Sequence, residues 1–326
     1  MRLSSRSIFV PSAVSSFFEV CDEDQEGNKI EDPLKVGARG GGFRISKGVT
    51  TQATIGQTTQ DEVYINSRLI PEAKTSLEAI RLARQTYGFQ GYVCIRHKVD
   101  VPIGCGFGTS AAGALGTIIA IQDMLGVRDR AYAADLAHIA EVKSLTGLGT
   151  VIAAASEGGS VGLVTEPGAP SLGAVRLFDF DSHEYVFVSV VFGAVDKASI
   201  LSSKMRKKIV NKWGRRVLEA ILDEPTPVNL LKQSLLFAEK TGIATKDLLD
   251  LAHYIQRRGA EGAAQNMIGR AVHSVVAVNR VEQILKDLRH LLPFAKIVTS
   301  PFYAGSVQIL EESLLVDRVR RFTDRA

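Results

Sequence analysis

Three small groups of residues carry the chemistry that this chain could do. The first lies in residues 101–117, VPIGCGFGTSAAGALGT, where Gly104, Gly106 and Gly108 fall within five positions and Thr109 and Ser110 follow. Glycines at that density admit left-handed backbone and clear side chains away, at a cost in chain entropy. Successive main-chain N–H groups there can form a concave anion nest, and a helix opening at Ser110 would aim its partial positive end into it. Pro102 fixes the chain direction before the loop, and Ala111 begins the small-residue run after it. A triphosphate is the natural occupant; the alternative is a structural glycine turn with Ser110 as an ordinary N-cap. The second group is His138 and Glu141, three apart on a predicted helix and therefore on one face. A carboxylate there suits a hard cation, or else a solvated helix edge. The third is Arg39, set among Gly37, Gly40, Gly41 and Gly42, with Lys35 close by. A guanidinium held among glycines can make a paired contact with a carboxylate. An exposed arginine on a glycine turn is the other reading.

Two better-known phosphate loops do not fit. A P-loop ends in Gly-Lys-Ser/Thr, whereas Gly108 is followed by Thr109 and Ser110. A dinucleotide fingerprint needs a second strand ending in an acidic residue about twenty positions on. Asp123 has that separation but falls inside a predicted helix.

The elements that must position these groups follow from hydrophobic spacing. SIFVPSAVSSFFEV and GGGFRISKGVTTQATI read as strands flanking an acidic loop, and DEVYINSRLI as a short strand. Residues 73–88 read as a helix closed by Gly88, and GYVCIRHKVDV as a strand feeding the glycine loop. Helices are expected over 110–125 and across RDRAYAADLAHIAEVKSL, then over 199–222, 228–241, 245–257 and 277–291. EYVFVSVVFG, AKIVTS and SVQILE read as strands. Proline and glycine concentrate in VTEPGAPSLGAV, which places a domain boundary near residue 168, giving domains 1–168 and 169–326. The order suggests an α+β protein with two layered units and a cleft between them.

At 326 residues, 45% hydrophobic and 23% charged, the chain can bury a core of one large or two medium domains. Net charge of +4 suits an anionic small molecule. The most basic stretch, KMRKKIVNKWGRR, has Met205, Ile209, Val210 and Trp213 at helical spacing, so it reads as a solvated helix face and argues against a nucleic-acid partner. Three scattered cysteines, Cys21, Cys94 and Cys105, argue against a disulfide framework or zinc site and for a reducing cytoplasm. No apolar run has the length of a membrane span, and the N-terminus lacks the apolar core of a signal peptide.

PIGCGFGTSAA resembles the P-x-x-x-G-x-G-S-S-A-A loop of the GHMP kinase superfamily, with Thr109 in place of the first serine. FVPSAVSSFFEV, DPLKVGARGGG, GLGTVIAAASEGG, EPGAP, PTPVNLLKQSLLFAEKTGIAT and GAAQNMIGRAVHSV extend the resemblance to its archaeal pantoate kinase branch. That resemblance implies a ribosomal-S5-like N-terminal domain, a ferredoxin-like C-terminal domain and an active site between them. It implies transfer of the ATP γ-phosphate to the C4 hydroxyl of pantoate, with Mg²⁺, in a homodimer. By the same resemblance Pro102, Gly104, Gly106, Gly108, Thr109, Ser110 and Ala111 hold nucleotide, and Ser110 and Glu141 serve Mg²⁺. His138 lines the acceptor pocket, Arg39, Lys35, Gly40 and Asn266 meet the acceptor, and QNMIGRAV contains a helix end facing the cleft. The chain departs from the pattern where the family carries a presumed base aspartate: Thr150 stands there. A threonine hydroxyl orients an acceptor but takes no proton at neutral pH. Ala13, Ala38 and Gly162 replace a histidine, a serine and an arginine of the family pattern. A kinase for another small hydroxy acid or alcohol, or a nucleotide-binding homologue with little activity, are the alternatives that these departures keep open.

Overall fold

Long alternating and apolar runs make the two longest strands, and the rest of the fold is assembled on them. The computed structural model describes residues 3–56, 59–179, 183–195 and 203–311. β1 spans Leu3–Ser4, β2 Ser7–Cys21 and β3 Gly37–Ile55, with β2 and β3 paired antiparallel along almost their whole length. β4 (Glu62–Ile65), β5 (Arg68–Leu69) and β6 (Val93–Val99) extend this sheet on the far side of β3. β7 (Val161–Glu166) and β8 (Ala174–Phe178) also join it.

Four helices cover one face of this sheet: α1 (Lys74–Tyr87), α2 (Thr109–Leu125), α3 (Arg130–Ser144) and α4 (Thr150–Ala155). Gly88 closes α1 as its spacing predicts, in the left-handed region at φ 66° with its N–H on the Arg84 carbonyl. The twelve residues 111–122 of α2 are all buried, because it packs against the sheet and against α1, α3 and α4. That central place explains the small-residue run: Gly116 lets the helix approach Thr51, where a Cβ would stand 2.5 Å from the hydroxyl.

A second sheet has the order β10–β11–β9–β12, formed by β9 (Tyr185–Gly193), β10 (Gly262–Gln265), β11 (Arg270–Ala277) and β12 (Lys296–Ser300). Side chains alternate across it. Phe187, Val191, Ala271 and Val275 face the first sheet, with α5 (Lys204–Asp223) and α6 (Pro227–Thr241) completing that core. Val188, Val190, Val272 and Val276 face outward under α7 (Lys246–Arg257) and α8 (Val281–Leu291). β13 (Gln308–Leu310) then returns the chain to β2 in the first sheet.

The α+β architecture matches the sequence expectation, with local differences. The proline- and glycine-rich stretch joins β7 to β8, an antiparallel pair within the first sheet, so its turn chemistry closes a connection between paired strands. The helix expected from residue 199 is described only from Lys204, and its expected first turn falls largely outside the described residues. The helix expected from 277 opens as a 3₁₀ turn, Val278–Arg280, before α8. QNMIGRAV holds the turn between β10 and β11, not a helix end.

Candidate active site

The glycine loop runs from the end of β6 to the first turn of α2 and adopts the backbone that its sequence predicts. Gly104, Gly106 and Gly108 have φ of 76°, 80° and 68°. Gly108 is also the N-cap of α2, which leaves that position without a capping side chain. A Cβ on Gly108 would lie 2.6 Å from Thr150 Cγ2 and 2.7 Å from the Ala13 carbonyl oxygen. One on Gly106 would lie 2.7 Å from Asn266 Cβ. The loop is therefore pressed between β2, the start of α4 and the β10–β11 turn. Among the described residues, the main-chain N–H groups of Gly106, Phe107 and Gly108 donate to no protein acceptor, and the first N–H groups of α2 have no intrahelical partner. Thr109 and Ser110 are half-buried at this end, whereas Ala111 is wholly buried in the α2 packing and Pro102 is half-buried at the β6 end.

Beside the loop is a cavity of about 490 Å³. Its wall is largely apolar: β2 contributes Val14 and Phe17, β3 contributes Gly40, Gly41 and Gly42, and the β10–β11 turn contributes Met267 and Ile268. The turn between α3 and α4, residues 145–149, closes another side. Ala13 and Thr150 line the cavity and also touch the loop position of Gly108, so loop and cavity share a wall. Ala38 and Gly162 line it too, which brings four departures from the family pattern, all but Thr109, onto one surface. Among its lining residues the charged ones are Arg39 and Arg44.

Arg39 sits directly across from Glu19 in the β2–β3 ladder, and its Nη2 is 2.9 Å from Glu19 Oε2. Arg215 of α5 holds the other oxygen of Glu19 at 2.8 Å. Burial opposes the charge on Arg39, and the adjacent Glu19 carboxylate outweighs it, so the pKa is raised. The triad carries one net positive charge, and Arg39 Nε is buried without a hydrogen-bond partner among the described residues. Gly40 is forced by close approach, since a Cβ would stand 2.5 Å from the Phe17 carbonyl oxygen. Lys35, by contrast, is exposed and does not line the cavity.

Glu141 and His138 are both buried on α3, contrary to a solvated helix edge. The Glu141 carboxylate lies beneath the 146–147 turn, accepting from Thr146 Oγ1 at 3.0 Å. Gly147 makes this possible: a Cβ there would be 2.3 Å from Glu141 Oε2. Since Thr146 and Gly147 themselves line the cavity, the acid is one residue layer behind its surface. His138 does not line the acceptor pocket as expected. Its Nε2–H donates to the Val36 carbonyl at 2.9 Å, and burial pushes the imidazole below its ordinary pKa against the pull of that carbonyl and of Pro33. It props the strand leading to Arg39 as a neutral group. Asn266 is likewise fully buried, with Nδ2 donating to the Cys105 carbonyl at 3.3 Å, so it supports the loop from behind rather than meeting an acceptor.

Sequence reasoning passed over Arg44. It is 1% exposed, donating to the Gly159 carbonyl at 2.8 Å and the Gly305 carbonyl at 2.6 Å, with Tyr303 against its guanidinium. Burial lowers its pKa, which leaves an arginine charged at neutral pH. It pins the 158–160 and 303–306 segments to β3, and a charged residue inside GGGFRIS was the available signal.

Residues 74–158 match the model of the GHMP kinases N terminal domain. The pantoate kinase of Thermococcus kodakarensis is 30% identical over 298 residues, covering 89% of this chain and 95% of that protein. The pantoate kinase of Methanocaldococcus jannaschii is 27% identical, covering 87% and 97%. A solved structure described as a phosphotransferase related to the CoA biosynthesis pathway superposes with a TM-score of 0.81 at 28% identity, covering 94% of this chain and 98% of the other. Mevalonate diphosphate decarboxylase from Staphylococcus aureus shares the fold, with a TM-score of 0.70 at 15% identity. The chain belongs to the pantoate kinase family of the GHMP kinases.

Proposed function

We propose that the chain transfers the γ-phosphate of ATP to the C4 hydroxyl of pantoate, giving 4-phosphopantoate and ADP, a step towards coenzyme A. The observation that carries this reading is the shared wall at Ala13 and Thr150, which sets a loop of free N–H groups against a largely apolar cavity bearing a guanidinium. Phosphoryl transfer asks the protein for alignment and charge stabilisation and little covalent chemistry.

In this reading the N–H groups of the 104–110 loop hold the outer phosphates, and the α2 dipole reinforces them. Ser110 and Glu141 would supply hard oxygen donors for Mg²⁺, with the Glu141 carboxylate standing one residue layer behind the cavity wall under Thr146 and Gly147. When bound, the ion neutralises phosphate charge. Arg39 pairs with the pantoate carboxylate, held in place by Glu19, with Arg215 on the other oxygen of that acid. The Thr150 hydroxyl orients the acceptor beside the loop. The described cavity lining contains no Asp, Glu, His or Lys. The acceptor proton therefore leaves late, to a phosphoryl oxygen, which a loose metaphosphate-like transition state permits.

The apolar walls around one half-exposed cation also favour a second reading, a different small hydroxy acid as acceptor. Incubation with MgATP and pantoate, mevalonate, homoserine or shikimate, followed by measurement of ADP and phosphorylated product, decides between them. Turnover of pantoate alone is expected. Binding of nucleotide without turnover of any acceptor overturns the proposal. A homodimer in the cytoplasm belongs to the same reading, and sedimentation measures the first part. Among the described residues, no helix is long and apolar enough to cross a membrane.

A further inference from the structure

Behind the glycine loop, on the side away from the cavity wall at Thr150, lies a second polar cluster that the reaction as derived does not use. Ser16, His273 and Asn266 are each 0% exposed. Ser16 Oγ is 2.9 Å from His273 Nε2, His273 Nδ1 is 3.1 Å from Asn266 Oδ1, and Asn266 Nδ2 is 3.3 Å from the Cys105 carbonyl oxygen. Serine, histidine and asparagine in a row look like hydrolytic machinery, but complete burial denies them a substrate. Their value must lie in what they hold.

The direction of every bond follows from one end. A carbonyl only accepts, so Asn266 must present its NH₂ to Cys105 and its oxygen to the imidazole. His273 Nδ1 then carries the proton, Nε2 is the acceptor, and the Ser16 hydroxyl donates to it. Ser189 adds a second donor to Asn266 Oδ1 at 3.4 Å. The ring cannot turn: it stacks on Phe187 at 5.8 Å with planes 11° apart, and Phe43 meets it edge-on at 5.7 Å. Burial lowers the His273 pKa to about 3, so the neutral tautomer persists over the whole working range.

Each member belongs to a different part of the fold. Ser16 is the extra residue of a β-bulge, since Ser15 pairs with Gly42 and Phe17 with Gly41. His273 is in the middle of β11, opposite Ser189 of β9 and Ala264 of β10. Asn266 opens the β10–β11 turn, whose Met267 N–H donates to the Ser15 carbonyl at 2.7 Å. The same turn presses on the loop: a Cβ on Gly269 would stand 2.5 Å from the Cys105 carbonyl carbon.

We infer that Ser16, His273 and Asn266 are positioning residues, a one-way hydrogen-bond relay between the two sheets that fixes the glycine loop through the Cys105 carbonyl and so sets the affinity for ATP. The inference rests on the reading of the loop as a phosphate cradle. It assigns the relay an effect on nucleotide and not on acceptor, because the chain of bonds ends on the loop and does not line the cavity.

The test compares Asn266→Asp and Ser16→Ala with the unaltered protein, measuring KM for ATP and for pantoate separately, with circular dichroism and calorimetric titration of MgATP. Asn266→Asp removes the donor to Cys105, and KM for ATP is expected to rise about tenfold with KM for pantoate within twofold of its starting value. Ser16→Ala leaves Asn266 in place and is expected to raise KM for ATP about threefold, without change for pantoate. If Asn266→Asp fails to fold, the serine variant decides alone. Equal movement of both KM values, or an unchanged KM for ATP in a folded variant, overturns the relay. Absence of MgATP binding to the unaltered protein overturns the cradle itself and the relay with it, so the two failures are distinguishable.

Discussion

Adding one methyl group to Gly108 should separate the loop's function from its mere backbone conformation. Gly108 and Gly88 have nearly the same φ, 68° and 66°, and both stand at helix ends. Alanine at either position pays a left-handed penalty of about 1–2 kcal/mol. At Gly88 nothing lies within 4 Å of the new Cβ, so that penalty is the whole effect. It should lower the melting temperature by about 2–4 °C and leave the kinetics alone. At Gly108 the Cβ meets Thr150 Cγ2 at 2.6 Å and the Ala13 carbonyl oxygen at 2.7 Å. The threonine can rotate, but the β2 backbone cannot, so the loop must retreat by roughly half an ångström. Since misplacement by about 1 Å costs on the order of a hundredfold in rate, kcat/KM for ATP should fall roughly tenfold or more. Steady-state kinetics and scanning calorimetry on Gly88→Ala and Gly108→Ala measure both quantities. A folded Gly108→Ala protein with unaltered ATP kinetics would show that the loop does not hold phosphates.

Arg39→Met removes a cation from the cavity lining, and KM for pantoate should rise about tenfold to a hundredfold with KM for ATP unchanged. An unaffected pantoate KM would place the carboxylate elsewhere. Thr150→Val keeps the methyl packed on Gly108 and deletes only the hydroxyl, so kcat should fall about tenfold while KM for ATP holds. The pH dependence of kcat should show no single-proton limb between about pH 7 and 9 from an enzyme base, since none lines the described cavity; such a limb would argue for a base reaching the acceptor from behind the wall. Burial depresses the folded-state pKa of His97 to about 4 and of His273 to about 3, and that of His138 in the same direction. The unfolded chain therefore binds protons first as pH falls through 6.5, and stability drops from there toward about pH 4. His97 and His273 together account for about 4 kcal/mol between pH 7.5 and 5. Equal denaturant midpoints at those two pH values would refute that burial effect.

Local rules made the glycine loop legible. Three glycines before a small-residue helix can do little except bend left-handed and expose N–H groups, and the φ values follow. The same held for Gly88 as a helix stop and for the alternating strands β2 and β3. The cavity side was harder to read. His138 and Glu141 share a helix face by spacing, yet spacing does not say what covers that face. The 33–36 segment takes the histidine, and Gly147 closes over the acid. Asn266 sits in a motif with the look of a cleft, but β-pairing on both sides turns it inward.

The sequence by itself determined the glycine loop, because glycine, proline and helix-capping preferences act within a few residues. It also determined the family, through motifs spread along the chain. Only the tertiary structure decided which polar groups line the cavity and which are locked behind its wall. Glu19 and Arg215 lie 196 residues apart, and Ser16 and His273 lie 257 apart. Pairings at that range are fixed by how two sheets pack, a choice made by the whole apolar core and not by any local pattern.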